Sequence, residues 1–111
     1  MTPKQASLGD LEQLLLLAIL RLGDEAYGVT IRAELLARAN RNVSPGALFT
    51  MLVRMEDKGL LKSRMGEPTT ERGGRAKRYF TVTAKGIAAL KASQQAYLNL
   101  MQGLKLLDDV R

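Results

Sequence analysis

The chain has 111 residues, 46% of them hydrophobic, which is enough for one domain with a modest core. Its 17 Lys and Arg residues outnumber 11 Asp and Glu, and the net charge of +6 favours polyanionic partners, nucleic acids or acidic membrane surfaces. The absence of Cys and His excludes a disulfide framework, a thiolate nucleophile and the commonest general base, so we expect no enzyme, no cofactor and no metal site.

The sequence contains no segment that predicts membrane insertion or export. The longest uninterrupted apolar run, residues 14–20, is far too short to cross a bilayer. The N-terminus has neither the basic start nor the small-residue cleavage site of a signal peptide. A cytoplasmic protein is therefore the default expectation.

The first predicted helix covers residues 11–22, with Ser7 or Asp10 as its N-cap. Asp10 followed by Gln13 fits a capping box. The apolar residues of the run 14–20 lie on every side of this helix, so a one-sided contact with the core cannot bury them all. Either a second helix of the same chain or a partner subunit has to cover the far side, and in a chain this short we favour the partner.

A second helix is predicted over residues 29–39, entered through Tyr27-Gly28 and broken at residues 40–42. The third helix follows this break directly. Two helices joined by a short polar turn, the second of them basic and N-capped, match the helix-turn-helix layout. A plain three-helix core is the alternative interpretation.

The third helix is bracketed by residues that begin and end helices. Ser44 offers a side-chain oxygen to the N–H groups of the first turn, and Pro45 is tolerated at the first helical position. Gly59 ends the helix, and Leu60 supplies the apolar contact of a Schellman-type ending. One stripe of the helix is apolar at helical spacing and should face the core: Leu48, Met51, Leu52 and Met55.

The remaining face of the third helix carries small, hydroxylic and cationic side chains: Ser44, Ala47, Thr50, Arg54 and Lys58. A helix that enters the major groove of DNA needs such side chains for close approach and for contacts to phosphates. Most amphipathic helices with a basic side are simply solvated, so this face indicates DNA binding only together with its neighbours in the chain.

Two short strands are predicted after the third helix, over residues 60–65 and 77–82. The loop between them is rich in Gly and holds Arg72 and Arg75. A hairpin with a basic tip after a third helix is a wing, whose Gly residues permit close approach to a phosphate backbone or a minor groove. A loop that cradles nucleotide phosphates is the alternative, but the GxxxxGK[ST] pattern is absent.

A long last helix is predicted from Thr83, its N-cap, to about residue 107. Its apolar positions alternate by three and four in a heptad seam that is interrupted once, at Gln94. At about 1.5 Å per residue such a helix extends over ~30 Å, more than a small domain can cover, so we expect packing against a second subunit, with an intramolecular fold-back as the alternative. The expected dimer interface comprises Leu11, Leu14, Leu15, Ile87, Leu90, Tyr97, Met101 and Leu104.

Several motifs, taken together and in this order, resemble the PadR family of bacterial winged-helix transcriptional regulators, in particular its short subfamily with one C-terminal helix. The motifs are Tyr27-Gly28, Ser44-Pro45-Gly46-Ala47-Leu48-Phe49, residues 56–61, residues 74–80, and Thr83 with Gly86. The resemblance implies a mainly α fold with a small β-hairpin. Residues 1–83 would form the winged helix-turn-helix domain, and residues 84–111 the long C-terminal dimerisation helix.

The resemblance also implies a homodimer that binds double-stranded DNA through its third helices and wings. Basic residues would contact phosphates, while Ser44, Ala47 and Thr50 lie closest to the base edges. The complete set of DNA-binding candidates is Tyr27, Ser44, Pro45, Ala47, Phe49, Thr50, Arg54, Arg72, Arg75, Lys77 and Arg78. Phe49 stands where the family usually has Tyr, and Thr81 stands where a basic residue is frequent, so this chain lacks a phenolic hydroxyl and a cation at those positions.

We therefore expect a dimeric, sequence-specific DNA-binding regulator, a repressor that binds a pseudo-palindromic operator and is released by a small hydrophobic or aromatic ligand. In related multidrug-sensing members an aromatic residue of the C-terminal helix lines a ligand pore, and Tyr97 is similarly placed; interface packing is the alternative role for this residue. The alternative function is a basic dimeric interaction module that docks on an acidic partner. The Gly-flanked Arg72 and Arg75 favour DNA over such a partner.

Overall fold

The computed structural model of the protein describes residues 8–67 and 76–108. Within these residues, three α-helices precede a two-stranded antiparallel hairpin, with a short 3₁₀ helix (Gly23–Glu25) between the first two, and a fourth α-helix and a short helical turn follow it. The elements are α1 (Asp10–Leu22), α2 (Gly28–Ala39), α3 (Pro45–Asp57), β1 (Leu61–Met65), β2 (Arg78–Val82), α4 (Ala84–Met101) and α5 (Lys105–Asp108). This is the predicted mainly α winged-helix fold with a small hairpin. No helix of the described segments is long and apolar enough to span a bilayer.

The start of α1 differs from the prediction. Gly9 is the N-cap, and its N–H donates to Glu12 Oε1 at 2.8 Å, so the predicted pairing of Asp10 with Gln13 is wrong. Asp10 lies in the first turn, and Gln13 Nε2 instead donates to the carbonyl oxygen of Leu8 at 3.3 Å. The Leu8 side chain is buried in the core, and α1 begins at Asp10, one residue earlier than expected. Ser7, the other predicted cap, lies outside the described residues.

The predicted ends of α3 are confirmed. Ser44 Oγ accepts a hydrogen bond from the Ala47 N–H at 3.2 Å, and Pro45 is the first helical residue. At the other end, Gly59 has a φ of +80° and its N–H donates to the Glu56 carbonyl, while the Leu60 N–H donates to the Met55 carbonyl. These two bonds form a Schellman motif, which the positive φ of Gly59 makes possible.

The core lies between α1 and the elements that surround it. α1 packs against α2, β2 and the start of α4, and its Leu15, Leu16 and Ile19 are almost completely buried. α2 contributes Ile31 and Leu35 to this core. The predicted stripe of α3 is confirmed, since its three main members are buried and the fourth packs against the core: Leu48, Leu52, Met55 and Met51. The single chain thus covers most of the apolar surface of α1 by itself.

The hairpin is attached to the helices through backbone hydrogen bonds. Its register runs from the pair Leu61↔Val82 to the pair Met65↔Arg78. The Phe80 N–H donates to the Ala26 carbonyl at 2.9 Å, and Tyr27 forms a β-bridge with Tyr79. The segment just before α2 therefore lies along β2, which positions the wing relative to α2. The predicted tip of the wing, with Arg72 and Arg75, lies outside the described residues.

The last helix is shorter than predicted. Thr83 caps α4, as expected, by accepting a hydrogen bond from the Gly86 N–H at 3.1 Å. The expected continuation to residue 107 is wrong, because α4 ends at Met101 and the chain turns at Gly103, whose φ is +82°. Leu104, a predicted member of the heptad seam, consequently lies beyond the helix that was expected to carry it.

The start of α4 approaches the backbone of the hairpin so closely that only Gly fits. A Cβ atom on Gly86 would overlap the Leu60 carbonyl oxygen and lie 2.8 Å from Val82 Cγ1. Backbone atoms and a buried Val cannot move aside without disturbing the core.

We predict that Gly86→Ala lowers the free energy of unfolding by about 1–3 kcal/mol, although Ala is the better helix former. Gly46→Ala is the matched control, because Gly46 also lies in the first turn of a helix and a Cβ there meets nothing within 4 Å. That control should gain about 0.5–1 kcal/mol. Denaturant unfolding at one fixed protein concentration measures both, and equal effects of the two substitutions would contradict the close packing.

Candidate nucleic-acid interface

A groove of about 290 Å³ opens between the start of α2, the N-terminal half of α3 and β2. We call it the α2–α3–β2 groove. Its floor is apolar and buried, formed by Leu48, Leu52 and Phe80. The cationic side chains that line it come from α2 and from the base of the wing: Arg32, Lys77 and Arg78. Five of the predicted DNA-binding residues are brought together here, namely Tyr27, Pro45, Phe49, Lys77 and Arg78.

Four other predicted residues, Ser44, Ala47, Thr50 and Arg54, are exposed on α3. Two of them are partly committed to the backbone: Ser44 Oγ caps the helix, and the Thr50 hydroxyl donates to the Gly46 carbonyl at 3.0 Å. Ser44 therefore keeps a hydroxyl proton to donate, whereas Thr50 can only accept. Arg54 forms no ion pair with a carboxylate of the described residues, so its charge is available to a polyanion.

Lys77 is held at the mouth of the groove by aromatic rings. Its Nζ lies 4.5 Å from the centroid of the Tyr27 ring and 3.5 Å from the Tyr27 hydroxyl oxygen. The Tyr27 ring meets Tyr79 edge to face at 5.5 Å, and the Arg64 guanidinium lies 4.5 Å from the centroid of Tyr79. Within residues 8–67 and 76–108, no carboxylate forms an ion pair with Lys77 or Arg64, so these cation–π contacts leave both charges uncompensated there. The base of the wing thus places cations beside Tyr27.

Arg78 has a different environment, since it takes part in an ion pair with α3. Its Nη2 lies 2.5 Å from Glu56 Oε1, and its Nε donates to Ser63 Oγ at 3.0 Å. The Ser63 hydroxyl in turn donates to Glu56 Oε2 at 2.8 Å. This closed network joins α3 to both strands of the hairpin, and it neutralises most of the charge that Arg78 would offer to a phosphate.

Comparison with known proteins identifies the family. The sequence matches the model of the transcriptional regulator PadR-like family over residues 16–92, well over half of the chain. The chain belongs to this PadR-like family. Because the family is one of transcription factors, the protein is a DNA-binding regulator rather than an enzyme. The comparison with curated proteins finds no match.

Solved structures of PadR-like regulators have the same fold. A PadR-like transcription factor from Bacteroides fragilis is 26% identical with a TM-score of 0.68, over 87% of this chain and 88% of that chain. A PadR-like regulator from Bacillus cereus is 23% identical with a TM-score of 0.67, over 91% of this chain and 93% of that chain. A transcriptional regulator from Clostridium thermocellum is 20% identical with a TM-score of 0.68, over 91% and 93% of the two chains.

Three residues that line or support the α2–α3–β2 groove were not predicted from the sequence. Val29 is exposed in the wall of the groove, and Arg32 lines it with its Nε fixed by the Val43 carbonyl at 2.7 Å. Val29 and Arg32 could have been predicted, because both follow Tyr27-Gly28 closely and lie on the side of α2 away from Ile31. Glu56 gave no signal of this kind, because its partner Arg78 lies 22 residues further along the chain.

The residues predicted for the dimer interface fall into two groups. Leu15 and Leu90 lie in the core of the protomer itself, which already accounts for their apolar character. The other six retain exposed or partly exposed surface: Leu11, Leu14, Ile87, Tyr97, Met101 and Leu104. Among the described residues no three acidic side chains are grouped in a way that could hold a metal ion.

Proposed function

We propose that this PadR-like regulator is a homodimeric, sequence-specific DNA-binding repressor that inserts α3 into the major groove of its operator. The observation that carries this proposal is the α2–α3–β2 groove, where Tyr27, Phe49 and Lys77 meet beside the exposed start of α3. A helix N-terminus with small residues, Gly46 and Ala47, allows the backbone to approach DNA closely.

In the proposed complex, contacts to DNA phosphates would surround the exposed start of α3. Lys77 stands on the wing side of the groove, and Arg54 lies two turns further along the exposed face of α3. Arg72 and Arg75, at the predicted wing tip, would contact the flanking backbone or minor groove. Arg78 contributes less in this proposal, because Glu56 already neutralises it.

Dimerisation is supported by an unusual amount of exposed apolar surface near the C-terminus. Beyond Leu90, none of the residues up to 106 is buried in the protomer. The exposed apolar side chains in this stretch are Tyr97, Leu98, Leu100, Met101, Leu104 and Leu106. Scattered apolar side chains are normal on a protein surface, but six of them within residues 97–106 are typical of an interaction site. We propose that a second copy of the chain covers it.

The receiving surface in this proposal lies on α1 and α2. A shallow groove of about 180 Å³ between these helices is lined by Leu14, Leu17 and Leu35. On its rim, Glu34 Oε2 pairs with Arg21 at 3.2 Å and with Arg38 at 2.6 Å. An apolar floor with a polar rim is the usual composition of a subunit interface. Residues 84–111 would then form the dimerisation segment, and residues 1–83 the DNA-binding domain.

We predict that Leu100→Glu converts the dimer into a monomer, because the change places a charge at a side chain that is 80% exposed in one protomer and would be desolvated in the dimer. Met65→Glu is the matched control: Met65 is 61% exposed on the wing, away from α4. Sedimentation velocity at micromolar concentration measures the mass. A wild-type protein that sediments as a single chain would overturn the proposed dimer.

Two α3 helices in such a dimer would face successive major grooves, about 34 Å apart, on a pseudo-palindromic site. A regulator of this kind acts on the chromosome and hence in the cytoplasm. Repression follows if the site overlaps a promoter. Regulators often lie next to the genes that they control, so the DNA directly upstream of its own gene is the first operator to test.

We predict that fluorescence anisotropy detects binding to this upstream duplex, and that Lys77→Ala reduces the slope of log K against log salt concentration by about one. Arg78→Ala should reduce the slope by clearly less, because its charge is shared with Glu56. The two adjacent cations form a matched pair. Random duplex that competes as well as the upstream DNA would reduce the proposal to nonspecific binding, and no binding at low salt would favour a module that docks on an acidic protein.

We further propose that a small hydrophobic or aromatic effector binds at the dimer centre, between the Tyr97 rings of the two subunits. The exposure of Tyr97 and its place on the apolar stretch of α4 support this site. With the dye 1-anilinonaphthalene-8-sulfonate as probe, Tyr97→Ala should lower the dye fluorescence of the DNA-free dimer several-fold. Phe49→Ala should change it little, and the opposite ranking would move the apolar site to the α2–α3–β2 groove.

A further inference from the structure

The first turns of α3 carry almost no groups that can discriminate bases by hydrogen bonding. Residues 44–53 contain no Arg, Lys, Asn, Gln, Asp or Glu. Those are the side chains that bond bidentately, or with defined polarity, to base edges in the major groove. The two hydroxyls of this stretch are partly used by the backbone, with Ser44 capping α3 and Thr50 bonded to Gly46. Sequence discrimination by this surface therefore requires another kind of contact.

The same surface presents large apolar side chains. Phe49 is 55% exposed and Val29 is 68% exposed, and both lie in the wall of the α2–α3–β2 groove together with Pro45. Neither side chain is needed by the core, whose α3 contribution comes from the other stripe of the helix. Exposing an aromatic ring to water is unfavourable unless a partner covers it.

The cationic side chains around this apolar wall indicate which kind of partner fits it. Lys77 lines the same groove, and neither Lys77 nor Arg54 is paired with a carboxylate in the described part of the chain. A partner that presents an apolar group between phosphates would complement this apolar wall and its flanking cations. In the major groove of DNA the apolar group is the C5 methyl of thymine, which projects from the base edge between two phosphate backbones.

We propose that Phe49, flanked by Val29 and Pro45, is a specificity-determining residue that contacts the C5 methyl group of a thymine in each half of the operator. This inference rests on the proposed DNA-binding function. The ring of Phe49 carries no polar group, so its edge meets a methyl group without leaving a hydroxyl unpaired. Ser44 and Thr50 would add single hydrogen bonds beside this contact.

The test compares thymine with uracil, which has the same hydrogen-bonding groups and lacks only the methyl. A duplex selected by the wild-type protein from a random pool is resynthesised with dU in place of each dT in turn. We expect about a three- to fivefold loss of affinity at the contacted thymine, from burial of one methyl group, and about tenfold or more when both half-sites are changed. Positions outside the contact should show no change.

Variants link the effect to this side chain. Phe49→Ala should abolish the difference between dT and dU, while Phe49→Leu should keep part of it. Leu36→Ala is the matched control, since Leu36 is 51% exposed on α2 and does not line the groove. It should keep the full difference. Because Phe49 is outside the core, the variants should fold, which thermal unfolding verifies.

The outcomes separate the inference from the function on which it rests. If the selected duplex binds specifically but every dU position binds as tightly as dT, the role of Phe49 is overturned while the repressor proposal stands. If Phe49→Ala retains the dT preference, another residue makes the contact. If no specific duplex can be selected at all, the proposed function itself fails.

Discussion

The burial of α1 is the constraint on which the other elements depend. Leu15, Leu16 and Ile19 are almost inaccessible to water, because α2, β2 and the start of α4 all pack on this one helix. An isolated helix with apolar residues on every side could not remain in water. By gathering its neighbours around itself, α1 brings the start of α2 and the base of the wing to the same side as α3.

The α2–α3–β2 groove contains cations that stabilise the fold and cations that stay available to a ligand. Arg78 joins β2 to Glu56 of α3 and so fixes the wing, but that ion pair removes much of its charge from the surface. Lys77, the preceding residue, lies against the Tyr27 ring and has no carboxylate partner in the part of the chain that the structure describes. Two adjacent cations thus serve different purposes, one structural and one available to a polyanion.

Exposed apolar surface lies mainly on one of the two helices that were expected to carry it. The apolar run of α1 is mostly covered within the single chain, whereas residues 94–106, in the second half of α4 and just after it, are all exposed. Since Gly103 turns the chain, this apolar segment is not a single straight seam. In the proposed dimer, the burial of apolar surface would therefore come mainly from Tyr97 and the leucines that follow it.

The sequence by itself determined the order of the elements, the Ser44 and Thr83 caps, the Schellman ending at Gly59 and the buried stripe of α3, because each depends on residues within one or two turns. Sequence motifs, whose relative positions follow from the family's fold, also identified five of the residues that line the α2–α3–β2 groove. The Gly9 cap and the turn at Gly103 are local features that the predicted caps and the heptad spacing missed. Only the tertiary structure decided the pairing of Arg78 with Glu56. It alone brought Val29 and Arg32 into the groove. These features depend on which distant elements come into contact, and neither periodicity nor capping preference carries that information.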